Sequence, residues 1–174
     1  DAASSAGSSA YIVAVGASGA HPTVVTIGGV AATAIGLGST GSGTKMSFWG
    51  VQSAPNGIVV ATFDLAQSYC VTDVYKVSNG DVLAARSLNG WHSLRSLYAK
   101  EGSAVLYTTA VINNPNAAVV TGPVAEDRSS AFTAGGWAHR WKSMSGEIAT
   151  DGLLEIASRW YTQNANYYRR SFGI

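Results

Sequence analysis

Short apolar, β-branched segments recur along this chain at a spacing of about 8–12 residues, separated by glycine, asparagine and proline. That rhythm admits little besides antiparallel β-structure. Ala10-Tyr11-Ile12-Val13-Ala14-Val15 runs into Gly16, and Thr23-Val24-Val25-Thr26-Ile27 runs into Gly28-Gly29. Val30-Ala31-Ala32-Thr33-Ala34-Ile35 follows at once. Gly28-Gly29 therefore reads as a tight hairpin turn, the place where a chain needs residues that accept positive φ. Residues 45–51 alternate, with Met46, Phe48 and Gly50 on one side and Ser47, Trp49 and Val51 on the other. Pro55-Asn56-Gly57 is a turn. Strands follow at residues 58–65 and 69–77, the second closed by Asn79-Gly80. Residues 103–112 and 117–121 read as strands on either side of Asn113-Asn114-Pro115-Asn116.

Three stretches are less regular. Residues 36–43 read as a flexible loop, and residues 86–100 as a short helix or an irregular connection. Residues 147–161 fit a helix, which would align Glu147, Asp151 and Glu155. They also fit a strand, which would set Leu154, Ile156 and Ser158 against Glu155, Ala157 and Arg159. Gly146 and Gly152 weigh against a long helix. The expected fold is all-β: a β-sandwich of jelly-roll or immunoglobulin-like type with at most one short helix, as a single domain over residues 10–174. Residues 1–9 are small and polar, without the basic and apolar regions of a signal peptide, and read as a flexible N-terminal arm. No repeat shows at the periods of about 20–50 residues that mark solenoids and propellers.

Composition narrows the function. Charged residues make up 12% of the chain, about half the usual share. The formal net charge is +1, so no bulk field favours nucleic acid or an anionic membrane. No apolar run approaches the roughly 20 residues of a membrane helix. A single cysteine, Cys70, rules out an internal disulfide and reads as a buried, inert thiol. So little charge suits either a hydroxyl-rich secreted surface or a surface covered by neighbours.

Motifs for chemistry are weak. Gly36-Leu37-Gly38-Ser39-Thr40-Gly41 has the letters of a dinucleotide loop, but such a loop must open a helix and this one leads into a strand. His21, His92 and His139 lack metal-ligand spacing, and there is no G-x-S-x-G elbow. Glu126-Asp127 would point to opposite faces of a strand, which does not make an acid/base pair. The chain is therefore read as non-enzymatic, with no catalytic residue, cofactor or metal. The aromatic and basic residues near its end, Trp137, Trp141, Trp160, Tyr167, Tyr168, Arg169 and Arg170, are the interface candidates. The same aromatic residues also fit core caps. With Trp91 they fit stacking on a glycan as well, the alternative function being a glycan-binding module.

A set of segments carries a resemblance. Val25-Thr26-Ile27-Gly28-Gly29-Val30-Ala31-Ala32-Thr33 precedes Met46-Ser47-Phe48-Trp49-Gly50-Val51, then Ala54-Pro55-Asn56-Gly57-Ile58-Val59-Val60-Ala61-Thr62-Phe63 and Val74-Tyr75-Lys76-Val77. Later come Ala134-Gly135-Gly136-Trp137-Ala138-His139-Arg140-Trp141 and Ala157-Ser158-Arg159-Trp160. In this order the chain resembles small β-rich structural proteins of tailed phages and prophages of alphaproteobacteria. The resemblance implies a capsid-decoration, collar or tail-associated subunit, assembled in the host cytoplasm and located in the virion. Its partners would be other virion proteins and further copies of itself, with no nucleic acid and no membrane.

Overall fold

Residues 9–39, 44–53, 56–80, 82, 88–90, 94–112, 118–121, 124–160 and 169–173 are described by the computed structural model of this chain. The strands are β1 (Ser9–Ser18), β2 (Val24–Ile27), β3 (Val30–Ala31), β4 (Thr33–Ser39), β5 (Thr44–Gln52), β6 (Val59–Thr62), β7 (Cys70–Ser78) and β8 (Leu88–Gly90). They continue with β9 (Leu94–Ala99), β10 (Ala104–Ile112), β11 (Ala118–Thr121), β12 (Ala125–Ala134), β13 (Trp137–Glu147), β14 (Gly152–Trp160) and β15 (Arg169–Gly173). The described residues contain no α-helix, so the all-β class holds.

The turns follow from backbone chemistry. Gly28 (φ 58°) and Gly29 (φ 82°) join β2 to β3, and Gly135 (φ 58°) and Gly136 (φ 78°) join β12 to β13. Positive φ at both central residues is the signature of the type I′ turn, whose twist matches that of the flanking strands. Of the loop expected over residues 36–43, Gly36 to Ser39 are instead strand, paired with β5, and residues 40–43 lie outside the described residues. Of residues 86–100, expected as a short helix or an irregular connection, the described ones contain no helix. Leu88–Gly90 and Leu94–Ala99 are strands, the second paired residue for residue with β14. Pairing to a neighbour overrides the helix propensity of Leu, Arg and Ala there. The same pairing settles residues 152–160 as a strand, so Glu147, Asp151 and Glu155 share no helical face. Of the N-terminal arm only Ser9 is described, and it already belongs to β1.

Four sheets form, all antiparallel: β4-β5-β1-β7, β12-β13-β10-β15-β8, β3-β2-β6 and β11-β14-β9. Their cores place them in order. Ala10, Ile12, Ala14, Met46 and Phe48 pack with Leu106, Ala110 and Trp141, which sets β4-β5-β1-β7 face to face with the five-stranded sheet. Val13, Val15, Trp49 and Val51 point the other way, onto Val25 and Ile27 of the β3-β2-β6 sheet. Val105, Tyr107, Met144 and Ile148 form a third cluster, with Ala99 of β9 packed against it. The two large sheets are thus inner layers and the two small ones outer layers. β1 is covered on both faces, which is why its sequence is continuously apolar rather than alternating. Each large apolar side chain buried this way contributes about 1.5–3 kcal/mol.

The two halves of the chain repeat one another. The order β4-β5-β1-β7 recurs as β12-β13-β10-β15, and the pair β2-β6 recurs as β11-β14. Aligning β1 with β10 matches Ser9-Ala10-Tyr11-Ile12 to Ser103-Ala104-Val105-Leu106. The sequence Ala54-Pro55-Asn56-Gly57-Ile58-Val59 then matches Ala149-Thr150-Asp151-Gly152-Leu153-Leu154. Details with no bearing on turn formation agree as well. The β4–β5 ladder is bulged between Ala34 and Gly36, beside Trp49 and Phe48; the β12–β13 ladder is bulged between Glu126 and Arg128, beside the equivalent Met144 and Ser143. Ser53 N donates to Ser9 O at 2.9 Å, and the equivalent Ile148 N donates to Ser103 O at 3.0 Å. The halves meet through equivalent strands, so the interface inside this one chain has the self-complementary character of a two-fold dimer.

Candidate functional site

The polar and aromatic groups that could do chemistry gather at the seam where β7 of the first half lies against β12 and β13 of the second. Tyr69 immediately precedes β7. Its ring centroid lies 4.6 Å from that of His139 and 5.0 Å from that of Phe132. Phe132 and His139 are cross-strand partners, and their rings stack at 5.3 Å with 3° between planes. Tyr69 Oη and Thr44 Oγ1 share a 2.5 Å hydrogen bond. Burial raises the Tyr69 hydroxyl pKa, and the bond to Thr44 opposes that rise. His139 Nε2 lies 3.2 Å from the carbonyl of Ala134, to which it donates in the neutral tautomer. Burial lowers the His139 pKa, opposed by that carbonyl.

One step along β7, Asp73 faces both its neighbours. Trp141 Nε1 donates to Asp73 Oδ2 at 2.5 Å, and Arg128 Nη1 donates to Asp73 Oδ1 at 2.8 Å. Arg128 Nη1 also donates to the Thr72 carbonyl at 3.0 Å, and its Nε to Ser130 Oγ at 2.9 Å. Both carboxylate oxygens are therefore engaged, which suits a joint between halves better than a general base. Deeper in, Tyr75 Oη and Ser143 Oγ are buried, and neither completes a hydrogen bond. Burial, foremost, raises the Tyr75 pKa well above its ordinary value.

The neighbouring Glu126 and Asp127 are also engaged. Lys142 Nζ donates to Glu126 Oε2, and Ser145 Oγ donates to Asp127 Oδ1 at 2.9 Å. Asp127 is the extra residue of the bulge, so the two neighbouring carboxylates serve different partners. Among the described residues no three of His, Cys, Asp and Glu stand close enough to hold a metal ion. His21 lies away from this cluster in sequence. Its Nδ1 is buried without a hydrogen bond, and burial and then the charge of Lys45 lower its pKa.

The interface candidates divide. Trp141 is 2% exposed and belongs to the core between the inner sheets. It is a core residue of this chain and not a surface one, because its strand faces the other half. Trp137, Trp160, Arg169 and Arg170 lie on β13, β14 and β15, with side chains outside the described residues. Tyr167, Tyr168, Trp91 and His92 lie wholly outside them. Cys70, expected to be buried, is exposed at the first residue of β7. The protein around it still desolvates the thiol enough to push its pKa upward. It faces outward because Val71, Tyr75 and Val77 take the inward positions of β7.

The sequence reading missed an exposed aliphatic surface. On the outer face of β3-β2-β6, Val24 and Val60 are 45% and 44% exposed, and neighbouring Ile58 is 77% exposed. Thr62 stands opposite Val24, Thr26 opposite Val60, and Ala31 beside Thr26, so this face carries no charge. The alternation Ile58, Val60, Thr62 was the available signal, since a β-branched solvent face is unusual for a strand with water on one side. No family model, no curated protein and no solved structure matches this chain.

Proposed function

We propose that this chain is a non-enzymatic structural subunit of a tailed-phage particle, a capsid-decoration, collar or tail-associated protein acting through protein–protein contacts. The observation that carries the reading is the uncharged outer face of Val24, Thr26, Ala31, Ile58, Val60 and Thr62. An aliphatic sheet face of this kind gains free energy only when another surface covers it. The seam supports the same reading, since its acidic and aromatic groups bind the two halves to each other. The sequence resemblance supplies the particle, and the low charge suits a surface that neighbours cover. Other virion proteins and further copies of this chain are the partners. Light scattering tests this. The unaltered chain should run above its 17.9 kDa monomer mass and fall to that mass on Val60→Lys. A monomer at all concentrations, in both proteins, would sink the reading of a self-associating subunit.

A further inference from the structure

The two halves differ at one edge, and the difference defines a binding site. In the second half β15 is flanked by β10 and, on its far side, by β8, which comes from the chain segment ahead of that half. β7 occupies the equivalent place in the first half. Val15 pairs with Thr72 as the equivalent Thr109 pairs with Ser171. Thr72, Asp73 and Val74 therefore correspond to Ser171, Phe172 and Gly173, which pair with Gly90, Asn89 and Leu88 of β8. Among the described residues nothing pairs with the far edge of β7.

A second difference lies opposite that edge. Gly36, just after the β4 bulge, corresponds to Arg128, just after the β12 bulge. β4, with a glycine there, lies against β8. Arg128 instead sends its guanidinium to the Thr72 carbonyl and the Asp73 carboxylate, on the stretch of β7 equivalent to the one β8 covers. The arginine stands where the other half has a strand. Val74 at this edge is 51% exposed.

We propose that the far edge of β7 is a strand-acceptor site for an extended, uncharged polypeptide segment, and that Arg128 caps it when it is empty. The occupant pairs antiparallel, as β8 does on β15. It places an aliphatic residue opposite Val74, where a cross-strand pair covers that side chain, and a neutral residue opposite Asp73. Strand addition of this type draws affinity from main-chain hydrogen bonds and specificity from alternate side chains. The site is independent of the particle reading, since it rests on the β7 edge, on Arg128 and on the β8 segment that fills the equivalent place.

Cys70 makes the register testable. A synthetic peptide of residues 87–92 with blocked ends, carrying His92→Cys and seated on β7 as β8 sits on β15, puts its cysteine opposite Cys70. The peptide is activated as a mixed disulfide and added to the full chain, unaltered and as Arg128→Gly, and capture is followed by mass spectrometry. The control peptide adds Gly90→Pro, which removes the main-chain donor that faces the Thr72 carbonyl. Glycine is the residue the other half uses at this place, so the variant keeps the strand, and circular dichroism checks its fold. Capture in Arg128→Gly should be at least tenfold faster with the first peptide than with the proline control. Amide exchange of β7 in the unaltered chain should also slow when the unactivated peptide is added in excess. Equal capture rates for the two peptides in Arg128→Gly, with no slowing of β7 exchange, would overturn the proposal.

Discussion

Replacing Gly16 by alanine tests whether the two halves share one rigid core. A Cβ at Gly16 would fall 2.7 Å from Cε3 of Trp141 and closer still to Cζ3. The indole has little room to move, since it is 2% exposed and its Nε1 is tied to Asp73. Overpacking a filled core costs about 1–3 kcal/mol. For a chain of this size that lowers Tm by about 2–4 °C per kcal/mol. The repeat supplies the compensating change. Gly16 and Trp141 correspond to Ala110 and Met46, which lie in the same buried cluster. Gly16→Ala together with Trp141→Met rebuilds the other half's pair at this position. Trp141→Met alone should cost about 2–4 kcal/mol, from lost ring burial and a carboxylate oxygen deprived of its donor. The double variant should be less destabilised than the sum of the singles by about 1–2 kcal/mol. Urea unfolding of all four proteins measures this coupling. Additivity within about 0.5 kcal/mol, the behaviour of distant sites, would refute the contact and the packing of the halves through it.

The remaining expectations are simpler. Tyr75→Phe removes a buried hydroxyl without a hydrogen bond, so it should be neutral or stabilising by up to about 1 kcal/mol in urea unfolding; a loss of that size would mean the hydroxyl is satisfied. His21 and His139 both have pKa values lowered from 6.5 by burial. The unfolded chain therefore takes up protons first as pH falls below about 6.5, and stability should decline from there downward. Unfolding midpoints across pH 5–8 check this, and the decline should flatten in His21→Asn/His139→Asn. Gly136 has φ 78° with nothing within 4 Å of a built Cβ. Gly136→Val should thus cost about 1–2 kcal/mol from backbone strain alone, and a neutral result would argue against the type I′ turn.

Much of the strand pattern was legible because its causes are local. Alternation in residues 45–51 and the glycine pair at 28–29 report the pleat and a positive-φ turn, which depend on a few neighbouring residues. The second glycine pair, Gly135-Gly136, obeys the same rule and was readable by it. The repeat was less so, because its period is about half the chain and few letters are kept, among them Ser9-Ala10 with Ser103-Ala104 and Asn56-Gly57 with Asp151-Gly152. Among the site residues, neither the burial of Trp141 nor the exposure of Cys70 can be read from the residue types. Each depends on which face of a strand meets another sheet.

By itself the sequence determined that the chain is β-structure, where the strands flanked by clear turn residues lie, such as those at residues 23–27, 45–51 and 103–112, and that little charge is present to hold surfaces apart. Tertiary structure alone decided the rest: which strands are inner and which are edges, that Asp73 is joined to Trp141 and Arg128, and that β15 has a strand beside it where β7 has an arginine. The reason is physical. Turn and pleat energies are set within a few residues, whereas burial and edge pairing are set by contacts between residues far apart in the chain. The same side chain is core or surface according to what packs on it.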